Sequence, residues 1–176
     1  MSISEIDLKL FIQNVPDFPR EGINFKDVSP LLKDAAAFAT AVSLMARTVE
    51  AEEMDYIAGI EARGFIFGSA LANVLNLGFI PIRKAGKLPG EVIDQSYNLE
   101  YGESSLEMQR DAVPKGSNVL IVDDILATGG TAKSAAKLVE RIGGKVVGFV
   151  FLASLGFLNG RKEIANYQQH TLLTYD

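Results

Sequence analysis

The sequence predicts an α/β fold of the kind with a central, mostly parallel sheet flanked by helices. Three observations carry that expectation. Tyr56–Ile60 and Val119–Val122 are short apolar runs without polar alternation, as in strands covered on both faces. Each run is followed by a glycine-containing turn, a helical stretch and a further apolar run. Such strand–helix–strand units close as right-handed crossovers, which lays their strands parallel and puts the loops after Ile60 and Val122 at one carboxyl edge.

The elements follow in order. Ile3, Ile6 and Leu10 have helical spacing, so a helix is expected over about residues 3–14. Pro16, Pro19 and Gly22 then demand an irregular loop. Phe38, Val42, Met45 and Val49 form a helical stripe with Asp34 as its cap. After the strand Tyr56–Ile60, the turn Glu61–Gly64 leads into a helix to about Leu75, ended by Gly78. Phe79–Ile82 is the next strand. The segment from Arg83 to Gln95, with its lysines, glycines and Pro89, reads as an exposed loop. Tyr97–Tyr101 and Ser104–Gln109 suggest two antiparallel strands about a Gly102 turn. Beyond Val119–Val122, Ala135, Leu138, Val139 and Ile142 mark an amphipathic helix stopped by Gly143 and Gly144. Val146–Ala153 completes the second unit. With no internal repeat or linker, the 176 residues read as one domain.

Composition narrows the chemistry. There is no cysteine, which excludes disulfides, thiolate catalysis and cysteine-bound zinc. The single histidine, His170, leaves little for a Ser-His-Asp triad or a histidine metal site. A net charge of −5 argues against a broad basic surface for nucleic acid. The acidic start of the chain does not resemble a secretory signal, and the apolar stretch Val146–Leu158 is too short to span a bilayer. The expected location is the cytoplasm, with no membrane and no nucleic acid among the partners.

The chemistry concentrates in Val119–Thr131. An apolar strand delivers Asp123 and Asp124 to the ligand crevice. Two adjacent carboxylates repel, so their pairing suits something that rewards acceptors or negative charge, such as sugar hydroxyls or Mg²⁺. Ala127, Thr128, Gly129, Gly130 and Thr131 then open a helix, where free N–H groups and the dipole favour a phosphate. Caps and a tight turn would explain each part alone, but not the order of strand, acid pair, Thr-Gly-Gly-Thr and helix. The pattern is neither G-x-G-x-x-G nor a Walker A loop.

This segment resembles the phosphoribosyl-diphosphate (PRPP) signature of type I phosphoribosyltransferases. Asp17–Arg20 with Gly22–Pro30, Glu61–Phe65, Arg83-Lys84 with Lys87–Gly90, and Tyr97–Gly102 are similar to the adenine branch of that family, in its order and over nearly the whole chain. The resemblance implies the family fold with a base-binding hood, from about residues 14–30 and the C-terminal segment, and a flexible lid over about 84–96. It implies transfer of the phosphoribosyl group of PRPP to adenine, giving AMP and pyrophosphate, with Mg²⁺ held mainly by PRPP and assisted by Asp123.

The same resemblance assigns roles. Asp123 and Asp124 would hold the ribose hydroxyls and stabilise the cationic ring, and Ala127–Thr131 would cradle the 5′-phosphate. Glu61, Ala62, Arg63 and Gly64 would form the pyrophosphate loop, with a cis peptide expected at Glu61-Ala62. Arg83, Lys84 and Lys87 would also meet pyrophosphate. Glu100 would act as general acid/base at the purine N7, flanked by Tyr101. Phe25 would stack on adenine, the backbone of Asn24 and Lys26 would read its edge, and Leu158 would cover the other side. The family also implies a homodimer. The signature does not choose the base, so transfer to another base stays open, as does a PRPP-sensing regulator. A PRPP synthetase-like subunit would need an ATP motif and more chain than is here.

Overall fold

A computed structural model describes residues 7–50, 53–99 and 102–176. Two compact units are distinguished, Met1–Leu44 and Met45–Asp176. The first holds a short hairpin in which β1 (Gln13–Val15) pairs antiparallel with β2 (Phe25–Asp27). Its connecting loop has Asp17 and Gly22 at positive φ and a cis Phe18-Pro19 bond, as the proline and glycine pattern requires. The helix expected over residues 3–14 is not what the described part of that segment forms. Only Leu8–Phe11 is helical, as a 3₁₀ turn, because Gln13–Val15 is drawn into the hairpin ladder.

Helix α1 (Ser29–Lys33) precedes α2 (Ala35–Ala46). The Asp34 carboxylate accepts the Ala37 N–H at 2.8 Å, which is the expected N-cap. The buried face of α2 carries Ala37, Ala41, Val42 and Met45. Val42 and Met45 are thus buried as the predicted stripe requires, whereas Phe38 is only half-buried and Val49 lies past the helix end.

The second unit is a seven-stranded sheet in the order β5-β6-β4-β3-β7-β8-β9. Strands β3 (Tyr56–Ile60), β4 (Gly78–Lys84), β7 (Asn118–Leu126), β8 (Lys145–Leu155) and β9 (Gln169–Tyr175) run parallel. Strands β5 (Val92–Leu99) and β6 (Gly102–Gln109) add an antiparallel pair at one side. The period of two along a strand sorts the central residues between the two faces. Val119 and Ile121 join Ala58 and Ile60 in the core beneath α4 (Gly130–Arg141), with Ala135, Leu138 and Val139. Helix α3 (Arg63–Leu75) packs on β3 and β7. Its glycines lie so close to the sheet that a Cβ on Gly68 would meet the Gly59 Cα at 3.3 Å and the Val122 Cβ at 3.6 Å.

Several boundaries differ from expectation. Asn76, at φ 56°, ends α3 as its left-handed cap, whereas Gly78 already belongs to β4. The two ends of the region read as an exposed loop belong to the sheet. Lys84 closes β4, residues 92–96 lie in β5, and only residues 85–91 connect them. Those residues are tied to β6 by hydrogen bonds from the Ala85 N–H to the Ser105 carbonyl (3.2 Å), from Gln109 Nε2 to the Pro89 carbonyl (3.1 Å) and from the Arg110 N–H to the Glu91 carbonyl (2.9 Å). No helix among the described residues is long and apolar enough to cross a membrane.

Candidate active site

The parallel register of β3 and β7, with Gly59 opposite Val122, brings the Glu61–Gly64 turn beside Asp123 and Asp124. Strand β7 does not stop at Val122. It stays paired with β8 through Leu126 opposite Ser154, so the two acids sit within the strand rather than after it. Their carboxyl groups remain within hydrogen-bonding reach of each other. Asp124 is buried and lies 2.8 Å from Arg63 Nε as an ion pair. Asp123 lines a small cavity of about 70 Å³ with Ala127, Thr128, Gly129 and Thr131. Of the two acids only Asp123 lines that cavity, while Asp124 is paired with Arg63.

The acid pair is electrostatically loaded. Burial pushes the Asp123 carboxyl well above its usual range, and the neighbouring Asp124 charge adds to the push. Burial also raises Asp124, against the pull of the Arg63 guanidinium. One Asp123 oxygen, Oδ1, accepts the Asp124 N–H at 2.9 Å. Gly64 is required beside it, since a Cβ there would meet the Val122 carbonyl at 2.8 Å and Asp123 Oδ1 at 2.9 Å.

The phosphate cradle is shaped by backbone. Gly129, at φ 86°, is the N-cap of α4, and Gly130 is its first residue, so the loop delivers the helix N-terminus to the cavity wall. A Cβ on Gly129 would meet the Gly160 carbonyl at 2.5 Å and the Glu163 Cβ at 2.8 Å. The 3₁₀ turn Gly160–Ile164 thus braces the cradle, helped by a 2.8 Å ion pair between Lys133 and Glu163. The sequence analysis missed this turn. The glycine at 160 was its one visible signal.

A second cluster gathers the predicted pyrophosphate residues. The Glu61-Ala62 peptide is cis, as expected. The Glu61 carboxylate accepts the Lys84 N–H (2.9 Å) and the Arg83 Nε (3.3 Å), and is paired with Lys87 Nζ. Burial works against ionisation there, yet Lys87, the Lys84 N–H and Arg83 together hold the Glu61 carboxyl down at about 2. Arg83 also donates from Nη1 to the Lys87 carbonyl at 3.0 Å. Glu61, Arg83, Lys84 and Lys87 are therefore one unit, whereas Arg63 belongs with Asp124.

Glu100 and Tyr101 lie outside the described residues. Leu158 ends a 3₁₀ turn after β8 and is partly exposed. Within the first unit, Phe25 meets Phe18 edge to face at 5.2 Å, Asn24 is exposed, and the buried Lys26 donates to Asn14.

Residues 28–168 match the phosphoribosyl transferase domain family. An adenine phosphoribosyltransferase of Pseudothermotoga lettingae is 52% identical over 170 residues, covering 97% of this chain and all of that one. The crystal structure of adenine phosphoribosyltransferase from Thermoanaerobacter pseudethanolicus superposes with a TM-score of 0.94 at 49% identity, covering 99% of this chain and 100% of that chain. The Saccharomyces cerevisiae adenine phosphoribosyltransferase, solved with an imino-altritol bisphosphate and adenine, gives a TM-score of 0.87 at 44% identity over 94% of this chain and 96% of that one.

Proposed function

Because the chain belongs to the adenine phosphoribosyltransferase family, we propose that it transfers the phosphoribosyl group of PRPP to adenine, forming AMP and pyrophosphate. The observation that carries this reading is the pair of anion-binding clusters at one sheet edge. One is the glycine cradle beside Asp123, sized for a single phosphate group. The other is the Glu61, Arg83 and Lys87 cluster, one strand away. A sugar with a 5′-phosphate and a 1-diphosphate needs both.

In this reading the N–H groups of Ala127–Thr131 hold the 5′-phosphate, and Asp123 takes a ribose hydroxyl. Arg63 exchanges Asp124 for a diphosphate oxygen when PRPP binds, which frees the Asp124 carboxylate for the sugar. Departure of the diphosphate leaves an oxocarbenium-like ring, and two fixed carboxylates beneath it stabilise the developing positive charge. Arg83, Lys84 and Lys87 take up the negative charge on the leaving group. Glu100 acts as general acid/base at N7 with Tyr101 beside it, while adenine attacks through N9. The base is held by Phe25 stacking, by the backbone of Asn24 and Lys26, and by Leu158.

Among the described residues no three carboxylate or histidine groups gather around one point as a metal site would require. Asp123 has one oxygen already bound to a backbone N–H. That donor set fits Mg²⁺ carried in on the diphosphate, with Asp123 contributing a single oxygen. The ion supplies charge neutralisation for the departing diphosphate. Our reading places the enzyme in the cytoplasm as a homodimer.

The test is a turnover assay with PRPP, Mg²⁺ and each purine base. Adenine consumption with formation of AMP is expected. Turnover of hypoxanthine or guanine with none of adenine would overturn the choice of base, and operator-specific DNA binding without any turnover would favour a regulator. Glu100→Gln should lower kcat by roughly 100-fold or more, within the span of general acid/base effects, with little change in PRPP affinity. Equal losses in both would make Glu100 a binding group.

A further inference from the structure

Glu107 is the only glutamate among the described residues that is almost wholly buried, and no role in the reaction has yet fallen to it. It sits on β6 directly opposite Arg83 of β4. Its carboxylate accepts three consecutive backbone N–H groups of the β4–β5 connection: Gly86 on Oε2 at 2.9 Å, and Lys87 and Leu88 on Oε1 at 2.7 and 2.6 Å. Successive N–H groups turned to one point form a nest that binds anions. Here the nest is filled by the chain's own carboxylate.

The loop that Glu107 clamps carries Lys87. The Lys87 side chain pairs with Glu61, and its carbonyl accepts Arg83 Nη1. One anion on β6 therefore fixes a cation on a loop and, through that loop's carbonyl, a second cation on β4. We propose that Glu107 is a positioning residue for the diphosphate of PRPP: by clamping the Gly86–Leu88 amides it holds Lys87 and Arg83 where the leaving group develops its charge. This rests on the reading of the chain as a PRPP-dependent transferase.

The chemistry favours a carboxylate at this position. All three loop groups are donors, so the clamp must be acceptor-only. Glutamine would keep one oxygen but turn its NH₂ toward a backbone N–H. Aspartate keeps both oxygens and falls short by one methylene. The three amides hold the Glu107 carboxyl below its usual range despite its burial, so it stays ionised throughout the neutral range.

The test compares wild type, Glu107→Gln, Glu107→Asp, Lys87→Ala and the Lys87→Ala/Glu107→Gln double variant. Calorimetric binding of pyrophosphate with Mg²⁺, steady-state kinetics and thermal unfolding are measured on each. Glu107→Gln should weaken pyrophosphate binding and raise the KM for PRPP about tenfold, the span of one charge-assisted hydrogen bond, with the KM for adenine unchanged. Glu107→Asp should recover part of that loss. In the double variant, Glu107→Gln should add less to Lys87→Ala than it costs alone, the remainder being its effect on Arg83 through the residue-87 carbonyl. A purely structural Glu107 would lower the unfolding temperature and the active fraction while leaving both constants unchanged, and that outcome overturns the proposal. Full additivity in the double variant also overturns it. Failure of the underlying reading looks different: wild type itself would then form no AMP.

Discussion

The two proposed anion sites of this molecule are built by opposite means. The cradle at Ala127–Thr131 is made of backbone: a left-handed glycine, a helix N-terminus and a bracing turn whose own glycine must also lack a side chain. The cluster at Glu61 is made of side chains from separate segments, joined across 19 to 26 residues of sequence by ion pairs and by a buried carboxylate. A backbone site is rigid and tolerates little change. A side-chain site tolerates change in its parts, at the cost of ordering several long side chains. The difference predicts that breaking the first should harm fold and function together, whereas breaking the second should harm binding far more than the fold.

Asp124 stands beside the first region, its N–H bound to Asp123 and its carboxylate paired with Arg63. Asp124→Asn should therefore have the largest effect, lowering kcat by about 100- to 1,000-fold, as for the loss of one preorganised electrostatic group. The unfolding temperature should change little, and an unchanged rate in steady-state assays would remove Asp124 from the site. Gly129→Ala comes next. Its side chain has no room against Gly160 and Glu163, and its φ is unfavourable, so chemical denaturation should show a loss of about 1–3 kcal/mol together with weaker PRPP binding. Lys87→Ala should raise the KM for PRPP by about tenfold with the unfolding temperature nearly unchanged. Equal stability losses in Gly129→Ala and Lys87→Ala would erase the contrast.

The smallest effect concerns pH. The Glu61 carboxyl is lowered from about 4.5 to about 2 by its cationic neighbours. Its pairing therefore stabilises the fold fully above pH 4.5, and that contribution is lost as the pH falls toward 2. Glu61→Gln should flatten this part of the unfolding-temperature profile by about 2–4 °C, a shift typical for a kcal/mol in a chain of this size. A profile identical to wild type between those limits would show that the ion pairs carry no stability.

The contrast between backbone and side-chain construction also explains what could be read beforehand. The strands Tyr56–Ile60 and Val119–Val122, the helices after them and the glycine loop that opens α4 were legible, because local periodicity and glycine placement specify them. The cis Glu61-Ala62 bond followed from family resemblance rather than from any local signal. Strand β9 carries the mixed sequence Gln169–Tyr175 and becomes a strand through its ladder with β8, so no apolar run announced it. Asp123 and Asp124 were placed past the strand end because acids are poor strand formers. The ladder to β8 overrides that preference and turns Asp124 toward Arg63. Arg83–Gln95 read as an exposed loop by composition. Glu107, Gln109 and the β5–β6 pairing hold that segment to the sheet through contacts no local pattern could reveal.

A crystal of the protein grown with AMP, pyrophosphate and Mg²⁺ tests the central claim most directly. The account predicts the AMP phosphate on the amides of Ala127–Thr131 and the pyrophosphate against Arg83 and Lys87, with Arg63 turned away from Asp124. Pyrophosphate bound elsewhere, with Lys87 still on Glu61 and Arg63 still on Asp124, would contradict it.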